Sequence, residues 1–151
     1  MNKWYEVKVK YTKQTEEGTY KRVTEPYLLA AMTHSDAEAR IYEELGSFVR
    51  GEFIVCGIKP ANFHDVFHYE DSDLWFKVKV QYVGMDAESG KNKKASQNFL
   101  LSAASVKDAY DRIHESLSGM MVDFNTPTIT ESKIVDVFPY KESPVEFEDL
   151  P

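Results

Sequence analysis

"KWYEVKVKYTK" (Lys3–Lys13) and "LWFKVKVQYVG" (Leu74–Gly84) are two versions of one strand. Trp4, Val7, Lys8, Val9 and Tyr11 recur 71 positions later as Trp75, Val78, Lys79, Val80 and Tyr82. In the first version, alternation sets Tyr5, Val7, Val9 and Tyr11 on one face and Trp4, Glu6, Lys8 and Lys10 on the other. That is the period of a half-buried strand. The second version repeats it, with Phe76, Val78, Val80 and Tyr82 opposed by Trp75, Lys77, Lys79 and Gln81.

The repetition continues downstream. "YLLAAMTHSDAEARIYEEL" (Tyr27–Leu45) aligns with "FLLSAASVKDAYDRIHESL" (Phe99–Leu117), the offset having grown by one residue in the intervening turn. "FHDVFHY" (Phe63–Tyr69) aligns with "IVDVFPY" (Ile134–Tyr140) at the original offset. Three blocks in one order define a tandem repeat.

Each block predicts an element. A polar turn containing Gly18, or Gly90, leads into a second strand near Val23–Met32, or Ser96–Ala104, which closes a hairpin. Pro26 places the first of these near a sheet edge. Thr33 with Asp36, and Ser105 with Asp108, have capping-box spacing and predict helix starts. The stripe Ala37, Ile41, Leu45, Phe48 recurs as Ala109, Ile113, Leu117, Met120. After each helix, "EFIVCGIKPANFHDVFHY" and "VDFNTPTITESKIVDVFPY" read as one long bent strand or two short ones, with bends at Gly57 and Pro60, or at Pro127.

The fold class expected is therefore α+β, two tandem β-β-α-β repeats with one helix on one face of each antiparallel layer. Residues 1–70 form the first repeat, 71–140 the second and 141–151 an acidic, flexible tail. A lone repeat of about 70 residues buries its core poorly. The two are expected to share one compact body, either across a pseudo-two-fold axis or by extending a single sheet.

At 151 residues, 42% of them hydrophobic, the chain has the material for a core and the size of one ordinary domain. The single cysteine, Cys56, excludes an internal disulfide, and "MNKWYEVKVK" contains no apolar leader or membrane segment. A cytoplasmic protein is expected. The net charge of -7 argues against indiscriminate polyanion binding, but it is unevenly spread. Met1–Pro26 sets six basic residues against four carboxylates, and Leu74–Phe99 sets five lysines against two. The acid gathers between Ser35 and Glu52 and in "KESPVEFEDLP".

No nucleophile motif, phosphate-cradling glycine loop or paired-cysteine metal signature is present, so the reading is of a non-enzyme without cofactor or metal. His64, Asp65 and His68 are the best metal candidates, but on a strand Asp65 points away from both histidines, and the second copy has Val135 and Pro139 in their places. Asp71 and Asp73 read as a solvated linker. Asp65 and Asp136 stand between apolar neighbours on their own face. They are expected to be partly buried and held by Arg40 or Arg112, or by backbone donors.

The polar face of each first strand remains. Trp4, Lys8 and Lys10, with Trp75, Lys77 and Lys79, offer rings for base stacking and ammonium groups for phosphates, and Lys91, Lys93 and Lys94 lengthen that track. This composition suits single-stranded DNA or RNA. The competing reading buries both tryptophans and leaves the lysines as ordinary solvated strand residues. In the tail, Val145, Phe147 and Leu150 sit among carboxylates. Such termini resemble the partner-recruiting tails of bacterial single-strand-binding proteins, although those usually end in phenylalanine and this sequence ends in Leu-Pro.

Taken together, "WYEVKVKY", "VTEPYLLAA", "DAEARI", "GEF" and "DVFPY" resemble a family of short bacterial and phage proteins of unknown function over nearly the whole chain. The resemblance implies a non-secreted protein and carries no activity, substrate or catalytic residue. Two functions are expected to compete: single-stranded nucleic-acid binding through the Trp and Lys faces, or a protein-interaction or inhibitor role through a sheet edge or the acidic helix face around Glu43 and Glu44, with self-association as a homodimer included.

Overall fold

The computed structural model describes residues 3–46, 49, 51–85, 88, 90–120 and 123–140. The first repeat gives β1 (Lys3–Gln14), β2 (Tyr20–Ala31), α1 (His34–Leu45), β3 (Phe53–Ala61) and β4 (Asp65–Phe67). The second gives β5 (Trp75–Met85), β6 (Asn92–Ser102), α2 (Val106–Ser116), β7 (Phe124–Ser132) and β8 (Val137–Phe138). The α+β layout of two similar units follows the repeat, and each post-helix segment is two strands rather than one. Gly57 and Pro127 lie inside β3 and β7 at the register shifts opposite Lys8–Val9 and Lys79–Gln81, where the expected bends fall, and the break before the next strand comes after them and after Pro60.

The strands form two four-stranded sheets, in the orders β3-β1-β2-β8 and β4-β6-β5-β7. Pairing is antiparallel except at one edge of each sheet, where β8 runs parallel to β2 and β4 runs parallel to β6. β4, written in the first repeat, completes the second repeat's sheet, and β8 does the reverse. Each repeat therefore gives its final strand to the other's sheet. Among the described residues, one compact unit holds those up to Ala61 with those from Asp136 onward, and the other holds Asn62–Val135.

Local chemistry accounts for the elements. At the first hairpin Gly18 takes a φ of 86°, a left-handed conformation that suits glycine, and its N–H donates to the Thr15 carbonyl at 3.0 Å. The Thr33 hydroxyl accepts from the Asp36 N–H at 3.0 Å, and the Ser105 hydroxyl from Asp108 at 3.1 Å. Both aspartates reach one residue past the cap, accepting from Met32 and Ala104 at 2.9 Å each. Pro26 lies before the stretch of β2 that β8 pairs with, Leu28 and Leu29, so among the described residues that side of β2 is an edge there.

In the first unit Val7, Val9, Leu29 and Ala31 of the sheet meet Ala37, Ile41 and Leu45 of α1, and Phe138 of β8 joins them. In the second, Val78, Val80, Phe99 and Leu101 meet Ala109 and Ile113, with Phe67 of β4 packed against them. Leu117 and Met120 are half-buried, and Phe48 lies outside the described residues.

Phe138 tests the exchange. Truncating a buried phenylalanine removes about 3–5 kcal/mol of stability, so Phe138→Ala should lower the urea midpoint markedly. Ending the chain after Val135 should also release the Leu28 amide, which donates to the Asp136 carbonyl at 3.1 Å, to rapid hydrogen exchange. A native midpoint and a protected Leu28 amide would contradict the strand assignment.

Candidate functional site

Alternation places the helix-facing and outward-facing residues of β1 and β5 where the sequence predicts them. On the outward face of the second sheet, Lys77 pairs in register with Leu100 and Thr130, and Lys79 with Asn98 and Thr128. Lys77, Lys79, Asn98, Thr128 and Thr130 line a shallow hollow of ≈ 300 Å³. Two ammonium groups, one amide and two hydroxyls converge there, and no carboxylate lines it. Further along the face come Gln81, Ser96, Val83 and Lys94. Among the described residues no ion pair engages Lys77, Lys79 or Lys94.

The first unit differs at one decisive position. Glu6 occupies the place of Lys77, and Lys59 pairs with it at 3.9 Å. Lys8 and Lys10 are exposed and unpaired among the described residues, but the neighbouring hollow, lined by Glu6, Lys8, Cys56, Gly57, Ile58 and Lys59, has mixed charge. The uncompensated positive face belongs to the second unit.

The tryptophans do not complete a stacking platform. Trp75 is 2% exposed, with the His68 ring 5.2 Å from its own, and Trp4 is half-buried. Lys91 is exposed and has a partner, the Lys93 side chain lies outside the described atoms, and Val145, Phe147 and Leu150 lie outside the described residues.

Asp65 and Asp136 have the backbone donors expected of them but not the burial. Both are exposed rather than partly buried, and neither is bound by Arg40 or Arg112. Each accepts from the N–H of its successor, Val66 or Val137, at 2.8 Å. The backbone donor suffices because the side chain turns along the strand into solvent. His64 meets the Phe99 ring edge-on at 5.4 Å, while His68 meets Trp75, so the histidines serve separate ring contacts.

The arginines hold something else. Arg112 donates to the Ser102 carbonyl at 2.9 Å, lies 4.5 Å from the centre of the Tyr69 ring, and grips Asp71 through two bonds of 2.7 and 2.9 Å. Arg40 donates to the Ala30 carbonyl, reaches the Pro139 carbonyl at 3.1 Å and lies 5.2 Å from the Tyr140 ring centre. In each unit a helix arginine thus clasps the tyrosine that follows the strand received from the other repeat. Sequence reasoning passed over these roles, although Arg40 and Arg112, and Tyr69 and Tyr140, are in register between the repeats.

A second polar group lies on the helix-facing side of the first sheet. The Tyr11 hydroxyl donates to Glu25 at 2.7 Å, and Lys13 approaches the same oxygen at 3.8 Å. Burial, then the Glu25 carboxylate, push the Tyr11 phenol far above its usual range. Burial also raises Tyr27.

Residues 3–140 match the family described as a domain of unknown function, DUF4494, and the chain belongs to that family. No curated protein and no solved structure matches it.

Two measurements check these placements. With Trp4→Phe, the remaining tryptophan emission comes from Trp75 alone and should resist acrylamide; strong quenching would show an open ring. The hydrogen bond from Arg112 holds the Asp71 carboxyl below the ordinary aspartate range. The stabilisation from this pair is therefore present at neutral pH and fades as pH falls through that lowered value. In Arg112→Gln the Asp71 midpoint, followed by carboxyl NMR, should rise to the ordinary range.

Proposed function

We propose that this chain is a non-enzymatic binding module whose second unit holds the phosphate backbone of single-stranded nucleic acid on its lysine-bearing sheet face. What supports the reading is the hollow of Lys77, Lys79, Asn98, Thr128 and Thr130, where unpaired ammonium groups stand beside neutral hydrogen-bond donors. Phosphate oxygens accept from all of these groups. With Trp75 covered, the contact is mainly electrostatic and tolerant of base sequence. The acidic excess does not line this hollow, and a net charge of -7 then limits binding elsewhere on the surface. No helix among the described residues is long and apolar enough to cross a membrane. The proposed setting is the cytoplasm of a bacterium or of a phage-infected cell, where such strands arise.

A protein partner is the other reading, favoured by the outer edges of β3 and β7, which have no strand beside them among the described residues. Ile54 on β3 is 52% exposed.

Fluorescence anisotropy of a labelled oligonucleotide at low salt decides between them. Binding should weaken steeply with salt, and Lys77→Ala with Lys79→Ala should reduce the slope of log K against log salt by about 1.4, at about 0.7 per single-strand phosphate contact. Absence of binding by the wild-type chain at low salt removes the nucleic-acid reading.

A further inference from the structure

The β2 edge that receives β8 and the β6 edge that receives β4 recognise their strands with the same parts. The incoming phenylalanine stacks on a host aromatic, Phe138 on Tyr27 at 5.8 Å and Phe67 on Phe99 at 5.7 Å. The host helix arginine binds a carbonyl at the end of its own sheet strand and lies over the tyrosine two residues past that phenylalanine. The aspartate two residues before the phenylalanine bonds the next N–H and sets the start of the strand. Asp-Val-Phe-x-Tyr is thus read twice, by two sites, from two distant parts of the sequence. The tethers that deliver the two segments, Asn62–His64 and Lys133–Val135, have no residue in common. The contacts common to the two sites therefore lie in the segment itself, while at the β6 site the His64 N–H also donates to the Asn98 carbonyl.

The two segments are not held equally. At the β6 site the Tyr69 N–H donates to the Ser102 hydroxyl at 2.6 Å, that hydroxyl donates to the Tyr69 carbonyl at 2.9 Å, and the Tyr69 and Ser116 hydroxyls share a bond of 2.7 Å. At the β2 site Ala30 stands where Ser102 would be, so the two Ser102 bonds have no counterpart. The β8 ladder spans two residue pairs against three for β4. By ladder length and serine bonds β8 is the less fully held strand.

We propose that the β2 edge with its Arg40 clasp is a docking site for the Asp136–Tyr140 segment of a second copy of this chain, which replaces the chain's own β8 and gives a reciprocally exchanged dimer. The interface is self-complementary, since each copy supplies the same edge and the same segment. A short tether holds the chain's own segment at millimolar effective concentration, so the exchanged form gains on the closed monomer as chain concentration rises. This inference is independent of nucleic-acid binding.

The test uses full-length chains. Phe138→Ala keeps the receiving edge and cripples the segment, whereas Arg40→Ala keeps the segment and cripples the edge. A labelled peptide of residues 134–140 should bind Phe138→Ala saturably, with affinity about tenfold weaker or worse for the same peptide carrying alanine at 138. Where Phe138→Ala alone is unfolded, recovery of its folded circular dichroism on adding the peptide is the readout. Mixing the two variants should give a one-to-one dimer in native mass spectrometry that neither gives alone. Failure of the peptide to bind or to restore folding overturns the docking site. Peptide binding with no mixed dimer overturns the second copy as occupant and points to a different protein bearing the motif.

Discussion

The link between the third and fourth strands of each repeat is too short to let a repeat finish its own sheet. β3 ends level with Trp4 and Ala30, on the far side of β1 from β2. The place beyond β2 lies three strand spacings away, about 14 Å, and an entering strand would have to start about 10 Å back along β2, a diagonal of about 17 Å. The four steps from Ala61 to Asp65 span at most about 14 Å even when fully extended. The second repeat meets the same limit between β7 and the Asp136 segment. Parallel pairing needs a long connection, and only the other repeat supplies one. The exchange, the arginine clasps and the mixed parentage of both cores all follow from this limit on reach.

Duplication satisfies this constraint twice with one set of residues, which frees the outward faces to differ. The cores repeat almost residue for residue, with Ile41 matched by Ile113 and Leu29 by Leu101. The outward faces do not. Glu6 with Lys59 makes a neutral pair in one unit, whereas Lys77 and Lys79 beside Asn98, Thr128 and Thr130 make an uncompensated positive hollow in the other. At matched positions one unit carries an ion pair and the other two lysines without one among the described residues.

Much of this was legible in the sequence, because alternation and helical spacing report on which side of an element a residue lies. The hairpins, the caps at Thr33 and Ser105, and the stripes through Ile41 and Ile113 were readable in that way. Periodicity does not report which sheet a strand joins, so "DVFHY" and "DVFPY" could be recognised as strands without revealing their exchange. It also does not report what lies over a face. Trp75 and Lys77 share the outward side of β5, but one is covered and the other open. Asp65 looked trapped among apolar neighbours because its bond to the Val66 N–H, which turns it along the strand, leaves no mark in composition.

The pairing of β2 with β8 also orders events during synthesis. Arg40 and the Pro139 carbonyl that it binds are 99 residues apart. As the nascent chain leaves the ribosome, β1, β2, α1 and β3 emerge early but lack Phe138, and the rim of β2 stays bare while the whole of the second repeat is translated. The second unit, by contrast, receives β4 before the rest of its sheet exists. The C-terminal half of the message therefore completes its own unit first, and only then supplies the strand that completes the N-terminal one.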